Sequence, residues 1–575
     1  MMLLPQLHNG QAIALKDVPD LAMPDFRTAV LERVRKGRRI SSLFGMPDGD
    51  EVMLILVLTN DAQGMLELCR TRVRDSYPAL TPDVPQAHWF EREIAEQWGI
   101  VPQGHPWLKP IRFHASYNGD RDAWGRAKTT PIEPCVTDYF RVEGEEIHEV
   151  AVGPVHAGII EPGHFRFQCH GENVLHMEIE LGYQHRGIER ALVARASSPC
   201  SWRGHPGLDL SGRDAPTSSG LQGRDALATQ PASESRMVPG DCKGETPSPL
   251  CPATDPRTVH YMETLAGDTT IGHATAYASI MEALGDATPT PRAHALRAIA
   301  LELERLANHT GDLSALAGDV GYLPTASYCG RLRGDFLNMT ALLCGNRFGR
   351  GLVRPGGVRF DPTPQTTAEI VTHLQKTFEA VQNAVDLLWE TPSVMSRFDG
   401  TGPVSRQDAI RLGLVGPAAR ASGVDRDVRS DLPWGIYQSQ LLPSVSLPAG
   451  DVAARAYVRW FEIQKSVEFI TDAIHALPSG PVSKASCLRN AGETPATQVP
   501  PPAPEHLAVT LVEGWRGEIC HVAVTDDRGR LRHYKITDPS FHNWFGLAIA
   551  LRGQQISDFP LCNKSFNLSY CGHDL

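Results

Sequence analysis

Three long stretches of this chain repeat apolar residues at intervals of three and four, at residues 291–316, 366–390 and 453–477. That interval places the apolar side chains on one face of an α-helix and leaves the other face polar. A helix with a single apolar face gains most of its stability by packing that face against a neighbour. The sequence therefore predicts a bundle of long helices in the middle of the chain.

The N-terminal part, residues 1–125, mixes two kinds of pattern. The apolar spacing of residues 29–37 and 64–75 predicts two helices, whereas the continuous apolar run at residues 51–59 predicts a buried strand. We therefore expect a small α/β domain here. It is followed by a polar segment that contains Pro and Gly, which predicts a linker at residues 126–145.

A second domain is predicted over residues 146–575, since a chain of 575 residues is long enough for more than one folded unit. It begins with two extended runs, 164–170 and 174–181, separated by Gly-Glu-Asn, which is typical of a β-hairpin. The expected fold class is therefore α+β. A small α/β domain precedes a mainly helical domain with peripheral β-hairpins.

Two segments of low complexity interrupt the second domain, at residues 196–254 and 484–504. The first has 24 Gly, Pro or Ser among 59 residues, and both contain Gly-Glu-Thr-Pro. Such segments cannot bury enough apolar surface to offset the entropy of ordering. We expect both to be solvent-exposed insertions, with their cysteines as unstructured thiols.

Composition limits the classes of partner. Lys and Arg number 55 against 66 Asp and Glu, a net charge of −11, which disfavours non-specific binding to nucleic acid or anionic lipid. The longest strongly apolar run is far too short to span a membrane. None of the 12 cysteines forms a Cys-x-x-Cys pair, so the chain has no local motif for an iron–sulfur cluster.

Several dispersed motifs resemble one family of redox complexes. Residues 77–112 are similar to the small partner subunit of the hydrophilic arm of respiratory complex I. Later motifs resemble the complex I large subunit that is homologous to NiFe-hydrogenase large subunits. They lie at residues 153–167, 181–190, 301–321, 356–360, 414–433 and 536–575. The fused order resembles the large subunits of formate hydrogenlyase and other energy-converting (group 4) hydrogenases.

Hydrogenases of this family hold nickel and iron with two Cys-x-x-Cys pairs, whose thiolates are the soft donors such a centre needs. On alignment, these positions are occupied by Ala266, Thr269, Ser540 and Asn543. The resemblance therefore implies an oxidoreductase that has lost its NiFe ligands and does not turn over hydrogen.

The resemblance also implies candidate positions for quinone chemistry, which requires two electrons and two protons. Asp319 matches an acid of the complex I quinone site, the Tyr position falls on Gly267, and the loop His aligns near Glu161, where hydrogenases carry a proton-transferring Glu. We predict Glu161 and Asp319 as catalytic residues. For Glu161, the alternatives are a buried carboxylate of raised pKa and a solvated loop carboxylate.

Four further positions are candidates for contact with a cofactor. They are His156, Gly267, His273 and Arg186. The two histidines have a structural alternative, a hairpin hydrogen bond for His156 and a satisfied buried imidazole for His273. In the family the arginine lies near the terminal iron–sulfur cluster of the partner, where it would raise the potential of that cluster. The alternative for Arg186 is a surface ion pair with Glu189.

The function expected from the resemblance is that of a subunit of a membrane-associated respiratory complex, similar to NADH-quinone oxidoreductase and hydrogenase-4. It would pass electrons from a partner iron–sulfur protein to a quinone-type or other acceptor, coupled to proton or ion translocation. Its partners would be an iron–sulfur small subunit, a ferredoxin-like subunit and membrane-embedded antiporter-like subunits, on the cytoplasmic face of the plasma membrane. The alternatives are a non-catalytic scaffold that relays conformational change, and an active NiFe hydrogenase.

Overall fold

The computed structural model describes residues 3–118, 121–127, 129–155, 161–197, 257–483 and 499–575. The predicted α+β class, with a small mixed domain before a mainly helical one, is confirmed. Both predicted insertions lie mostly outside the described residues, as does His156.

An antiparallel sheet with strand order β1-β5-β4-β3 forms the centre of the N-terminal part, and β6 and β7 pair separately as a parallel ladder. The elements here are β1 (Gln6–Leu7), β2 (Gln11–Ala14), α1 (Met23–Arg35), β3 (Arg39–Asp48), β4 (Glu51–Asn60), β5 (Met65–Val73), β6 (Ser76–Pro78), α2 (His88–Trp98) and β7 (Val101–Gln103). The predicted helix at 29–37 and the predicted strand at 51–59 are confirmed as α1 and β4.

The helix predicted over residues 64–75 is wrong, because this segment is strand β5, paired along its whole length with β4. Leu66 and Leu68 point into one apolar cluster, whereas Cys69 and Val73 point into another on the opposite face. A strand that is buried on both faces loses the alternation of apolar and polar residues. Its apolar spacing then imitates that of a helix.

The second part begins with a three-stranded antiparallel sheet of order β10-β9-β8. Its elements are β8 (Ile147–Val155), β9 (Gly163–His170) and β10 (Asn173–Glu180), followed by α3 (Ile188–Ser197). The predicted hairpin is confirmed, with His170 opposite Asn173 at its turn.

The predicted helical bundle follows. Its elements are α4 (Thr258–Met262), α5 (Thr270–Leu284), α6 (Pro291–Asp319), α7 (Leu323–Cys344), β11 (Val353–Arg354), β12 (Gly357–Val358), α8 (Pro364–Trp389), α9 (Pro392–Phe398), α10 (Arg406–Leu412), α11 (Gly416–Ala421), α12 (Val428–Asp431) and α13 (Val452–His475). The three predicted long helices are α6, α8 and α13. The α6 helix packs against α7 and α13, and it begins where the Thr290 hydroxyl accepts a hydrogen bond from the Ala293 amide at 3.1 Å.

A second four-stranded sheet, which the sequence did not reveal, has the order β15-β14-β13-β2. It is formed by β13 (His506–Gly514), β14 (Gly517–Thr525) and β15 (Leu531–Thr537), and is followed by α14 (Pro539–Leu551) and α15 (Phe559–Phe566). Strand β2 comes from the N-terminal part, with Ile13 opposite Leu507. The predicted domain boundaries stay a prediction, but this sheet joins the two ends of the chain.

Candidate functional site

The site is formed where two segments meet. One is the loop at residues 265–269, between α4 and α5, and the other is the segment at residues 563–575, which includes the end of α15. Most of the residues selected from the sequence lie next to these segments. Asp319 is exposed at the C-terminal end of α6. Partial desolvation there raises the pKa of Asp319, and the positive charge of Lys564 opposes that shift.

Glu161 and Arg186 form an ion pair. The Arg186 Nη2 donates to the Glu161 carboxylate at 3.0 Å, and its Nε donates to the backbone carbonyl of Leu265 at 3.1 Å. Both side chains are half-buried. The expected alternative for Arg186 does not occur among the described residues, since Glu189 instead accepts from Lys535 at 3.1 Å. Glu161 is therefore a partly solvated, paired carboxylate at the edge of the site.

The four residues that the resemblance aligns with the hydrogenase thiolates are buried, and three of them have hydrogen-bond partners. The Thr269 hydroxyl accepts from the indole of Trp515 at 3.1 Å, and the Ser540 hydroxyl accepts from the amide of Ser569 at 2.9 Å. The Asn543 amide bonds to both backbone groups of Val415, at 3.0 and 3.1 Å. Ala266 offers only a methyl group. This donor set does not fit a NiFe centre, which needs thiolates.

An ion pair that the sequence did not reveal lies beside Thr269. The Arg516 guanidinium donates to both carboxylate oxygens of Asp268, at 2.6 and 2.8 Å, and lies 3.9 Å from the centre of the Trp515 ring. Its Nε donates to the carbonyl of Asn567 at 2.5 Å. Burial acts to raise the pKa of Asp268, but the charge of Arg516 outweighs it and holds that pKa below its usual value.

A second missed residue is Glu304, on the buried face of α6. Its carboxyl oxygens accept from the amides of Ile271 and Gly272, at 2.7 and 3.3 Å, at the start of α5. Burial raises the pKa of Glu304 to about 8, and the neighbouring Asp268 adds to the shift. The only signal in the sequence was a glutamate inside an apolar helical face. Such an acid holds a proton at neutral pH.

His273 is fully buried, and both of its ring nitrogens have partners. One nitrogen is 3.1 Å from His521 and the other is 3.3 Å from Asp538. His521 in turn lies 2.8 Å from the hydroxyl of Tyr534. This arrangement matches the satisfied imidazole that we considered as the alternative for His273.

Gly267 is exposed on the loop between α4 and α5. No heavy atom of the described residues lies within 4 Å of a Cβ built at this glycine. The position that the resemblance aligns with a Tyr of complex I therefore has open space beside it, apart from its neighbours in the chain.

Among the described residues, no helix combines the length and the apolar character that crossing a membrane would require.

Comparison with known proteins identifies relatives for both parts of the chain. Residues 319–574 match the family model described as the respiratory-chain NADH dehydrogenase 49 Kd subunit, and residues 26–123 match that of the 30 Kd subunit. Formate hydrogenlyase subunit 5 of Escherichia coli is 28% identical over 512 residues, covering 86% of this chain and 76% of the relative.

Two further relatives extend the comparison. Hydrogenase-4 component G of Escherichia coli is 26% identical over 502 residues, covering 86% of this chain and 75% of the relative. NADH-quinone oxidoreductase subunit 4 of Thermus thermophilus is 33% identical over 316 residues, covering 50% of this chain and 73% of the relative. All of these relatives are oxidoreductase subunits of multi-subunit complexes. The chain belongs to the family of complex I 49 Kd-type subunits and their group 4 hydrogenase relatives, with a 30 Kd-type segment fused in front, and it is an oxidoreductase subunit of a membrane-associated respiratory complex.

Proposed function

We propose that this subunit passes electrons from a docked iron–sulfur protein to a quinone-type acceptor and binds no NiFe centre. The observation that carries the proposal is the donor set at the four former thiolate positions. Three of those side chains are held by internal hydrogen bonds, and Arg516 donates to Thr269 at 3.3 Å. The nearby Asp268 carboxylate is already paired with Arg516 through both of its oxygens.

The acceptor would lie between the Glu161–Arg186 pair and Asp319. A quinone becomes a quinol by taking up two electrons and two protons, so groups that hold protons must lie close to it. Asp319 and Glu304 both have raised pKa values, caused first by desolvation, and Glu304 holds its proton at neutral pH. Arg186 keeps a partly exposed positive charge at the surface where an iron–sulfur partner would dock.

The finer features of the complex are part of the same proposal. The electron donor would be an iron–sulfur small subunit, with a ferredoxin-like subunit behind it. Membrane-embedded antiporter-like subunits would anchor the chain at the cytoplasmic face of the plasma membrane and convert proton movement at the site into ion translocation. The relatives named hydrogenase and NADH-quinone oxidoreductase support such an assembly.

The test is quinone reduction by the purified complex carrying Glu161→Gln or Asp319→Asn. Loss of most of the rate in either variant is expected, because each substitution removes a carboxyl group from the proposed acceptor site with little change of side-chain shape. Glu369→Gln, on the exposed face of α8, is the matched control and should keep the wild-type rate. Wild-type rates in both site variants would refute the proposed roles. Stoichiometric nickel in the purified chain would refute the loss of the NiFe centre.

A further inference from the structure

Two imidazoles and one carboxylate meet beside the site described above, at the end of its C-terminal segment. His114 lies in the loop after β7, His185 lies just before α3, and Asp574 follows α15. His114 Nε2, His185 Nδ1 and one carboxylate oxygen of Asp574 all lie within 4.8 Å of one another. Three distant segments of the chain therefore bring ligand-type atoms to one point.

The three atoms lie close to the separations found among metal ligands. The Asp574 Oδ2 lies 2.6 Å from His185 Nδ1 and 3.3 Å from His114 Nε2. Two ligand atoms at about 2.0–2.1 Å from a Zn²⁺ ion are roughly 2.9–3.4 Å apart. The 3.3 Å separation falls in this range, whereas the 2.6 Å separation is a hydrogen bond that the ion would replace as the two atoms move apart.

The carboxylate is already oriented for this role. The Arg112 Nη1 pairs with the other oxygen of Asp574 at 3.0 Å, which leaves Oδ2 facing the imidazoles. Partners of this kind fix the geometry of metal ligands.

The surrounding charges permit a cation. Arg112 also contacts Glu93 and Glu189, and both of these carboxylates contact Lys535. With Asp574, this connected group holds three carboxylates against two cations. It therefore keeps one negative charge when the imidazoles are neutral. A divalent cation adds attraction to that charge despite the nearby guanidinium.

The cluster lies just below the surface. The side chains of His114 and His185 are 31% and 26% exposed, whereas that of Asp574 is 3% exposed. The His114 Nε2 atom is buried and has no hydrogen-bond partner among the described residues, so an ion would give it one. The ring of His573 lies 5.6 Å from that of His185, and its Nε2 has no hydrogen-bond partner among the described residues.

We propose that His114, His185 and Asp574 bind one divalent cation with the ligand preference of Zn²⁺. Imidazole nitrogen and carboxylate oxygen are a ligand set that this ion accepts. The ion would connect the loop after β7, the start of α3 and the segment after α15. Because it would bind only the folded chain, it would stabilise the junction of these segments. This inference is independent of the acceptor proposed above.

The test is titration of the full-length chain with Zn²⁺, after removal of metals, against a competing chromophoric chelator. The variants are His114→Gln and Asp574→Asn. The control is His170→Gln. His170 forms an exposed pair with Glu146 at 3.4 Å, and among the described residues no third metal-ligand side chain completes a site with this pair. We expect the wild type and the control to bind one more ion than the two variants, or to bind it at least about tenfold more tightly. Added Zn²⁺ should raise the melting temperature of the wild type and the control only.

Thiols elsewhere in the chain bind Zn²⁺ equally in all four proteins, so only the difference between them bears on the site. Equal affinity and equal thermal stabilisation of the wild type and His114→Gln would overturn the proposal. If Asp574→Asn fails to fold, His114→Gln alone decides, since its partly exposed side chain can be replaced without opening the core.

Discussion

Glu304→Gln is the most informative single change in the interior of this subunit. The wild-type carboxyl group has a pKa of about 8 in the folded chain, against a usual value of 4.5, and burial is the main cause. At any pH between these two pKa values, the folded state holds a proton on Glu304 that the unfolded state has released. The free energy of unfolding must therefore fall as the pH rises through this range and level off above about pH 8.

The magnitude follows from the shift. Each pH unit between the two pKa values costs about 1.4 kcal/mol of stability, so a rise from about pH 5.5 to about pH 7.5 costs about 3 kcal/mol. Glutamine does not titrate, and the variant should therefore lose this part of the pH dependence. Ile271 and Gly272 donate to different oxygens of Glu304, and glutamine replaces one of these oxygens with an NH₂ group that cannot accept, which costs about 1 kcal/mol at every pH.

The assay is urea unfolding of the wild type and Glu304→Gln at about pH 5.5 and about pH 7.5. Tryptophan fluorescence monitors the unfolding. The difference in unfolding free energy between the two proteins should change by about 3 kcal/mol in favour of the variant as the pH rises. Glu369→Gln, an exposed position on α8, should follow the wild type at both pH values. The same pH dependence in wild type and Glu304→Gln would refute the assignment of a protonated acid at this position.

Three further changes test other parts of the structure. Gly416→Ala should destabilise the chain by more than about 3 kcal/mol in urea unfolding, because Gly416 has φ of +64° and an added Cβ would lie 2.2 Å from the Arg516 carbonyl oxygen. The Glu462 carboxylate lies 2.7 Å from the buried guanidinium of Arg420. Glu462→Gln removes this negative charge and should cost about 3–5 kcal/mol in the same assay. A cost below about 1 kcal/mol would contradict this reasoning. Arg186→Gln should lower the midpoint potential of the iron–sulfur cluster in the proposed partner, measured by redox titration of the complex, whereas Arg186→Lys should preserve most of it. Equal potentials in all three proteins would remove Arg186 from the proposed electron transfer.

Periodicity was a sufficient guide for the long helices. α8 buries one face, whereas α6 is buried on all sides along most of its length and α13 along its first half. In all three the apolar residues still recur at intervals of three and four, which predicts the helices. The β9–β10 hairpin was found for the same reason, with Gly and Asn marking its turn. The predictions failed at β5, β13 and β14, whose faces are both covered, so that polar and apolar residues follow one another without alternation. β4 is covered in the same way and was still predicted, because its apolar run is continuous.

The sequence by itself determined the family, the helical core and the absence of thiolates at the four former metal positions, since each of these is written in residue types at short spacing. Only the tertiary structure decided that Arg516 pairs with Asp268, that Glu304 is buried beside them, and that His114, His185 and Asp574 meet. Local patterns follow the repeat of one helix or strand, whereas these contacts join residues far apart in the chain. Their distances and charges arise only when separate elements pack, and so do the pKa values that follow from them.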